Sequence, residues 1–260
     1  MSPPISSCLA GRKKKSLLSF YFTAGYPKID SLPLILHAME EGGADFVEVG
    51  IPFSDPLADG PVIQQSNQQA LKAGLNLEIV FGQLRKIPSL SIPLVLMSYL
   101  NPLISYGMEK LSRQCESLGI RTLIIPDLPP WIYEKSYRPI FEKYGISPVF
   151  MISEKTSVER IEKILDLSGE ESFVYAVSSS STTGTKTWTL NKKYFSRLKT
   201  LNQRYPVMVG FNLSSPQDLK KLGQYVSGGI IGSALIRYLG TPGWEQGLSS
   251  FVQGFRQSSD

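Results

Sequence analysis

Short apolar runs recur along the chain, separated by longer stretches in which apolar residues return every three or four positions. The runs are SLLSFYFTAG (16–25), DFVEVG (45–50), IPLVLMSY (92–99), RTLIIPD (121–127), SPVFMI (147–152), FVYAVS (173–178), PVMVGF (206–211) and GGIIGSAL (228–235). They are apolar at consecutive rather than alternate positions, the pattern of parallel strands covered on both faces. Between them lie helical patterns. In DSLPLILHAMEEGG, Leu32, Ile35, Leu36 and Met39 share one face, with Ser31 placed to cap the start and Gly42–Gly43 to end the helix. TSVERIEKILDL opens with Thr156 and Glu159 at capping-box spacing and sets Ile161, Ile164 and Leu165 on one side. Eight strand-like runs alternating with helices, without a linker or a break in composition, predict one domain over residues 1–260, a closed (β/α)8 TIM barrel. An open doubly wound sheet usually has fewer strands and gives no reason for polar groups to be scattered over several strand ends.

Composition narrows the class. The 260 residues are 42% hydrophobic and 19% charged, enough for one sizeable core. The net charge of +5 is concentrated at RKKK (Arg12 to Lys15), a solvated flank before the first apolar run. No aromatic residues interleave with a basic stripe elsewhere, which argues against nucleic-acid binding. Two cysteines, Cys8 and Cys115, make no disulfide framework and fit a reducing cytoplasm. MSPPISSCLAGRKKK lacks the basic-then-apolar order of a signal peptide, and no apolar run approaches a membrane span of about 18 residues. The expectation is a cytoplasmic protein without membrane or nucleic-acid contacts.

The chemistry concentrates in EVGIPFSDPLADGP (48–61), where Glu48, Asp55 and Asp59 share fourteen residues with Pro52, Pro56 and Pro61. Glu48 stands among Phe46, Val47, Val49 and Ile51, where an acid is costly to bury. In a barrel it falls near the exit of the second strand, at the end where active sites lie. A carboxyl in that setting has its pKa raised, the usual device for proton transfer near neutral pH. The competing reading is a structural acid accepting backbone N–H groups. The stiff loop carrying Asp59 favours the first, because rigid loops hold polar groups in fixed geometry.

Later strand ends offer an anion cradle. STTGT (181–185), GFNLSSP (210–216) and GSA (232–234) follow the sixth, seventh and eighth runs, and a short helix opening at Ser233 would add its positive end. Phosphate sites after strands seven and eight recur in this architecture. No Cys, His and carboxylate residues stand at metal-ligand spacing, so no metal is expected. The single histidine, His37, falls on the first predicted helix and reads as structural.

FVEVGIPFSDPLADGP, with FTAGYP upstream, LMSYLNP (96–102), PDLP (126–129) and GFNLSSP, resembles the α subunit of tryptophan synthase, in order and over nearly the whole chain. The resemblance implies retro-aldol cleavage of indole-3-glycerol phosphate to indole and glyceraldehyde 3-phosphate. By position, Glu48 matches the family's acid–base glutamate and Asp59 the carboxylate that accepts the indole N–H. Tyr175 matches the tyrosine beside that glutamate. Tyr99 is a close motif match for the indole pocket, whereas Tyr21, Leu100 and Ile125 serve equally as pocket walls or as barrel packing. Thr183, Gly184, Gly210, Phe211, Asn212, Gly232 and Ser233 fall in the phosphate loops. The family docks on a pyridoxal-phosphate β subunit as α2β2, so no cofactor is expected in this chain, and Asp55 and Pro56 match the region that communicates with the partner.

Two residues depart from the family's pattern. Ser181 stands where a glycine usually precedes Val-Thr-Gly, and Asn212 stands where the family reads Gly-Phe-Gly. Both add side chains to the cradle, so weakened cleavage is expected with Glu48 and Asp59 intact. The alternatives are a regulatory subunit that stimulates the β subunit with little lyase activity, and an aldolase using Lys155 as a Schiff-base amine.

Overall fold

In the computed structural model, residues 2–13, 16–177, 191–210 and 213–257 are described. Lys14 and Lys15 and the candidates Ser181, Thr183, Gly184, Phe211 and Asn212 lie outside them. Eight parallel strands close in sequence order into a barrel: β1 (Leu17–Thr23), β2 (Phe46–Gly50), β3 (Leu94–Met97), β4 (Thr122–Ile124), β5 (Ser147–Ile152), β6 (Val174–Val177), β7 (Val207–Gly210) and β8 (Gly228–Ile231). β5 spans its apolar run in full, and each other strand is shorter than its run, which continues into the flanking loops and, at residue 233, into a helix.

The barrel is wrapped by helices. In chain order they are α1 (Ser6–Leu9), α2 (Leu32–Glu41), α3 (Pro61–Lys72), α4 (Leu77–Leu84), α5 (Leu100–Tyr106), α6 (Met108–Leu118) and α7 (Pro130–Ile132). There follow α8 (Arg138–Lys143), α9 (Val158–Leu167), α10 (Lys192–Arg204), α11 (Pro216–Leu222), α12 (Ser233–Leu239) and α13 (Trp244–Gln257). In α2 the predicted face, Leu32, Ile35, Leu36 and Met39, is buried. Gly43 ends this element at φ +82°, a conformation that costs a residue with a Cβ. Ser31 does not cap it: its hydroxyl accepts the Lys28 N–H at 3.2 Å instead. The cap of α9 also differs from expectation. Thr156 accepts the Ser153 N–H, and Ser157, one residue later, caps the helix through the Arg160 N–H. Of its predicted stripe, Ile161 and Ile164 are buried and Leu165 only partly, with Leu167 completing the face. The capping box forms at α11, between Ser215 and Asp218.

Alternate strand residues serve two cores. Val47, Val49, Leu96, Leu123 and Val209 pack outward under the helices, while Phe46, Val95, Ile124, Phe173 and Met208 fill the barrel. The barrel's lower end is stoppered by Ile5 and, from α1, Leu9, and Ser6 is tied through its N–H and hydroxyl to Glu171. On the outside, Phe251 and Phe255 of α13 pack their rings on Phe20 of β1. Arg256 then reaches under the barrel to Asp45, Gly43 C=O and Ser16 C=O. Among the described residues no helix is long and apolar enough to cross a membrane.

Candidate active site

Glu48 shares the inward parity of Phe46 on β2, so its carboxyl enters the barrel interior between Phe46 below and Gly50 above. It is fully buried, and neither oxygen has a hydrogen-bond partner among the described residues. Burial alone pushes its pKa up to about 8, so it holds its proton at neutral pH. A structural acid would be satisfied by backbone donors. This one is left with both its proton and its lone pairs uncommitted, which fits a group kept for something that enters the barrel.

Asp59 stands mouthward of it in the loop before α3. The loop is held at several points. Asn67 of α3 accepts the Phe53 N–H at 3.0 Å, the Phe53 ring stacks on Tyr99 with centroids 5.2 Å apart, and Gln64 donates to Asp59 C=O at 2.9 Å. Tyr99, just beyond β3, accepts the Ala58 N–H at 2.9 Å. A backbone N–H can only donate, so Tyr99 gives its own proton to Asp59 Oδ2, 3.1 Å away. Burial raises Asp59 to about 6, with the Tyr99 hydrogen bond opposing part of the rise. At neutral pH the site thus holds one protonated and one ionised carboxyl.

Two tyrosines complete the interior. Tyr21 on β1 is in register with Glu48, and Tyr175 enters from β6. Each ring leans over a glycine: a Cβ on Gly50 would lie 2.6 Å from Tyr21 Cζ, and one on Gly210 would lie 2.6 Å from Tyr175 Cε1. Gly210, expected in the phosphate loops, therefore also seats Tyr175. Burial raises both phenols well above their usual range, with the Glu48 charge the next contribution at Tyr175 and the Asp59 charge at Tyr21.

The remaining candidates divide. Leu100 and Ile125 pack with the outer core, not with the interior cluster of Glu48's neighbours. The inward positions are held by Met97 and Ile124, with Met151 and Val177 packed beside them, four residues that sequence reasoning missed. Strand parity would have found them, but runs that are apolar on both faces do not display it. Gly232 caps α12, whose first residue is Ser233. Asp55 is exposed, Pro56 buried and the neighbouring Leu57 83% exposed. Lys155 is exposed in the turn after β5.

A closed barrel with two carboxyls gathered at its mouth places the chain in the (β/α)8 class. A family profile described as tryptophan synthase alpha chain matches residues 8–255. The chain is 44% identical over 235 residues to the tryptophan synthase alpha chain of Flavobacterium johnsoniae, covering 89% of this chain and 92% of that one. Among solved structures, the alpha chain from Legionella pneumophila superposes with a TM-score of 0.87 at 28% identity, over 100% of this chain and 98% of that one. A tryptophan synthase from M. tuberculosis in an aminoacrylate-bound form gives 0.82 at 27% identity, over 98% and 97%. This chain belongs to the tryptophan synthase alpha chain family.

Proposed function

We propose that this chain cleaves indole-3-glycerol phosphate by a retro-aldol reaction. The observation that carries the proposal is Glu48, fully buried, its pKa raised by that burial, and without a hydrogen-bond partner among the described residues. Glu48 gives its proton to indole C3, and the positive charge that develops on the ring is met by ionised Asp59 at the N–H. The carboxylate left on Glu48 then takes the proton of the linker hydroxyl next to the ring. The bond between indole C3 and the linker carbon breaks, its electron pair restoring the indole, and the hydroxyl carbon leaves as the aldehyde of glyceraldehyde 3-phosphate. Glu48 ends as it began, protonated. Tyr175 lies beside it as a wall of the reacting centre. Release of indole from indole-3-glycerol phosphate, measured with and without the β subunit, tests this reading, and no indole under either condition would refute it.

The sequence of the phosphate loops adds a quantitative expectation. Ser181 and Asn212 each replace a glycine of the family's pattern where backbone N–H groups would approach the phosphate. One lost charge-assisted hydrogen bond costs about 1.5 to 3 kcal/mol, or roughly ten- to hundredfold in binding. The unmodified chain should therefore cleave weakly, and Ser181→Gly with Asn212→Gly should raise kcat/KM by at least about tenfold. Equal kcat/KM in parent and double variant would remove both residues from that role.

The partner is the β subunit, which carries pyridoxal phosphate, in an α2β2 assembly in the cytoplasm. What supports a docking face is the distribution of exposed apolar side chains. Leu57 follows β2, Ile104 lies on the helix after β3, Trp131 after β4, and Val158 opens the helix after β5. All four thus decorate the mouth side of neighbouring strands. The M. tuberculosis neighbour is titled as a tryptophan synthase, in keeping with such a partner. Exposed Asp55, beside Leu57, is placed to pass site occupancy across that face. Trp131, 63% exposed, is its largest anchor. Trp131→Ala should weaken binding of the β subunit by roughly thirtyfold or more while leaving the melting temperature unchanged, as truncation of a central aromatic costs about 2 kcal/mol or more. Unaltered affinity in a calorimetric titration would exclude Trp131 from the contact.

A further inference from the structure

Tyr21 is the pocket residue with chemistry left unused. Its ring leans mouthward across Gly50, the inward position directly above Glu48. On its other side, a Cβ on Gly232 would lie 3.6 Å from Tyr21 Cδ1. The phenol thus stands between the carboxyl groups of the β2 side and the end of β8, where α12 begins.

The direction of its hydroxyl is fixed through a buried relay. Ser66 Oγ–H donates to Ile63 C=O at 2.8 Å. With that proton committed, Ser66 Oγ accepts from Thr23 Oγ1–H, 2.7 Å away. Thr23, its own proton committed in turn, can only accept from Tyr21 Oη at 3.5 Å. Thr23 and Ser66 are buried, so bulk water does not reorient the chain. Tyr21 therefore points its proton at Thr23 and keeps its oxygen as an acceptor. Burial and the Asp59 charge hold the phenol well above its ordinary range, so the proton stays in place. Around it stand Glu48, Asp59, Tyr99 and Tyr175, and among the described residues no cation perturbs them.

An acceptor fixed at that height is of no use to the flat face of an aromatic ring, but it matches a hydroxyl. Resting on the lyase reading above, we infer that Tyr21 is a specificity-determining residue whose phenol oxygen accepts a hydrogen bond from a hydroxyl of the linker joining the substrate's indole and phosphate ends.

The test compares two ligands by calorimetry in the Glu48→Gln chain, where binding is not followed by turnover. One is indole-3-glycerol phosphate. The other is indol-3-ylpropyl phosphate, which keeps both ends and lacks the linker hydroxyls. Adding Tyr21→Phe should lower affinity for the glycerol ligand about three- to tenfold, the size of one net neutral hydrogen bond, and leave the propyl ligand within about twofold. Equal losses for both ligands would mean that Tyr21 acts only through pocket shape and would overturn the inference, as would no loss for either. If the Glu48→Gln chain with Tyr21 intact binds neither ligand, the lyase reading itself fails and this inference falls with it.

Discussion

Replacing Glu48 with glutamine is expected to abolish indole formation and, at the same time, to make the chain more stable in alkaline solution. The first effect follows from loss of the general acid and base, typically about 10²- to 10⁴-fold in rate. The second follows from burial. The carboxyl titrates near 4.5 when exposed and near 8 in the folded chain. Between those values the unfolded chain is ionised while the folded chain keeps its proton, so the folded state binds more protons and stability falls as pH rises. The loss is complete above about pH 8 and amounts to about 5 kcal/mol. Glutamine has no such charge to hold back. The melting temperatures of parent and Glu48→Gln chains should coincide near pH 5 and separate by roughly 10 °C near pH 9, at about 2 to 4 °C per kcal/mol. The parent's indole formation should rise through about pH 6 as Asp59 ionises and fall through about pH 8 as Glu48 loses its proton. Indole production by Glu48→Gln at the parental rate would remove the glutamate from the chemistry. A melting difference that does not change with pH would remove burial as the cause of its shift.

Arg256→Ala is expected to be the most damaging single change away from the site. Arg256 and Asp45 are both largely buried, with side chains 15% and 8% exposed. The same guanidinium also holds Gly43 C=O and Ser16 C=O, while Asp45 accepts the Leu18 N–H at 2.8 Å. Removing the arginine takes one shared donor from the Asp45 carboxylate and from two carbonyls, and losing hydrogen bonds to a charged group costs about 1.5 to 3 kcal/mol each. The melting temperature should drop by roughly 10 °C, measured at pH 7, with kcat unchanged at temperatures where the chain is folded. A drop of less than about 2 °C would remove Arg256 from that structural role.

The barrel was legible because strands covered on both faces are apolar throughout and helices carry a stripe, and both signals survive without any alignment. What could not be read was parity. In RTLIIPD nothing in the letters distinguishes Ile124, which enters the barrel, from Ile125, which packs outward beneath the helices. Only the closing of eight strands in register assigns the two faces. Glu48 was the exception, since its charge marked its own side of β2. The helix caps failed for a related reason. Ser31 and Thr156 have the right residue type, but each hydroxyl was taken by a nearer backbone N–H in the preceding turn. The tie of Tyr99 to Asp59 joins residues 40 apart, and no local pattern announces it.

Among the described residues, the charges that act on Tyr21, Tyr99 and Tyr175 come from one another and from Glu48, Asp59 and Asp127, all acidic groups. Negative charge thus gathers over β2 and β3, and among the described residues Gly232 and Ser233 over β8 add none. On the lyase reading proposed above, a rod-shaped substrate with a dianion at one tip and a neutral ring at the other would be turned by that charge and arrive ring-first toward the glutamate. Salt that screens the charge should slow productive capture more than it weakens the final complex.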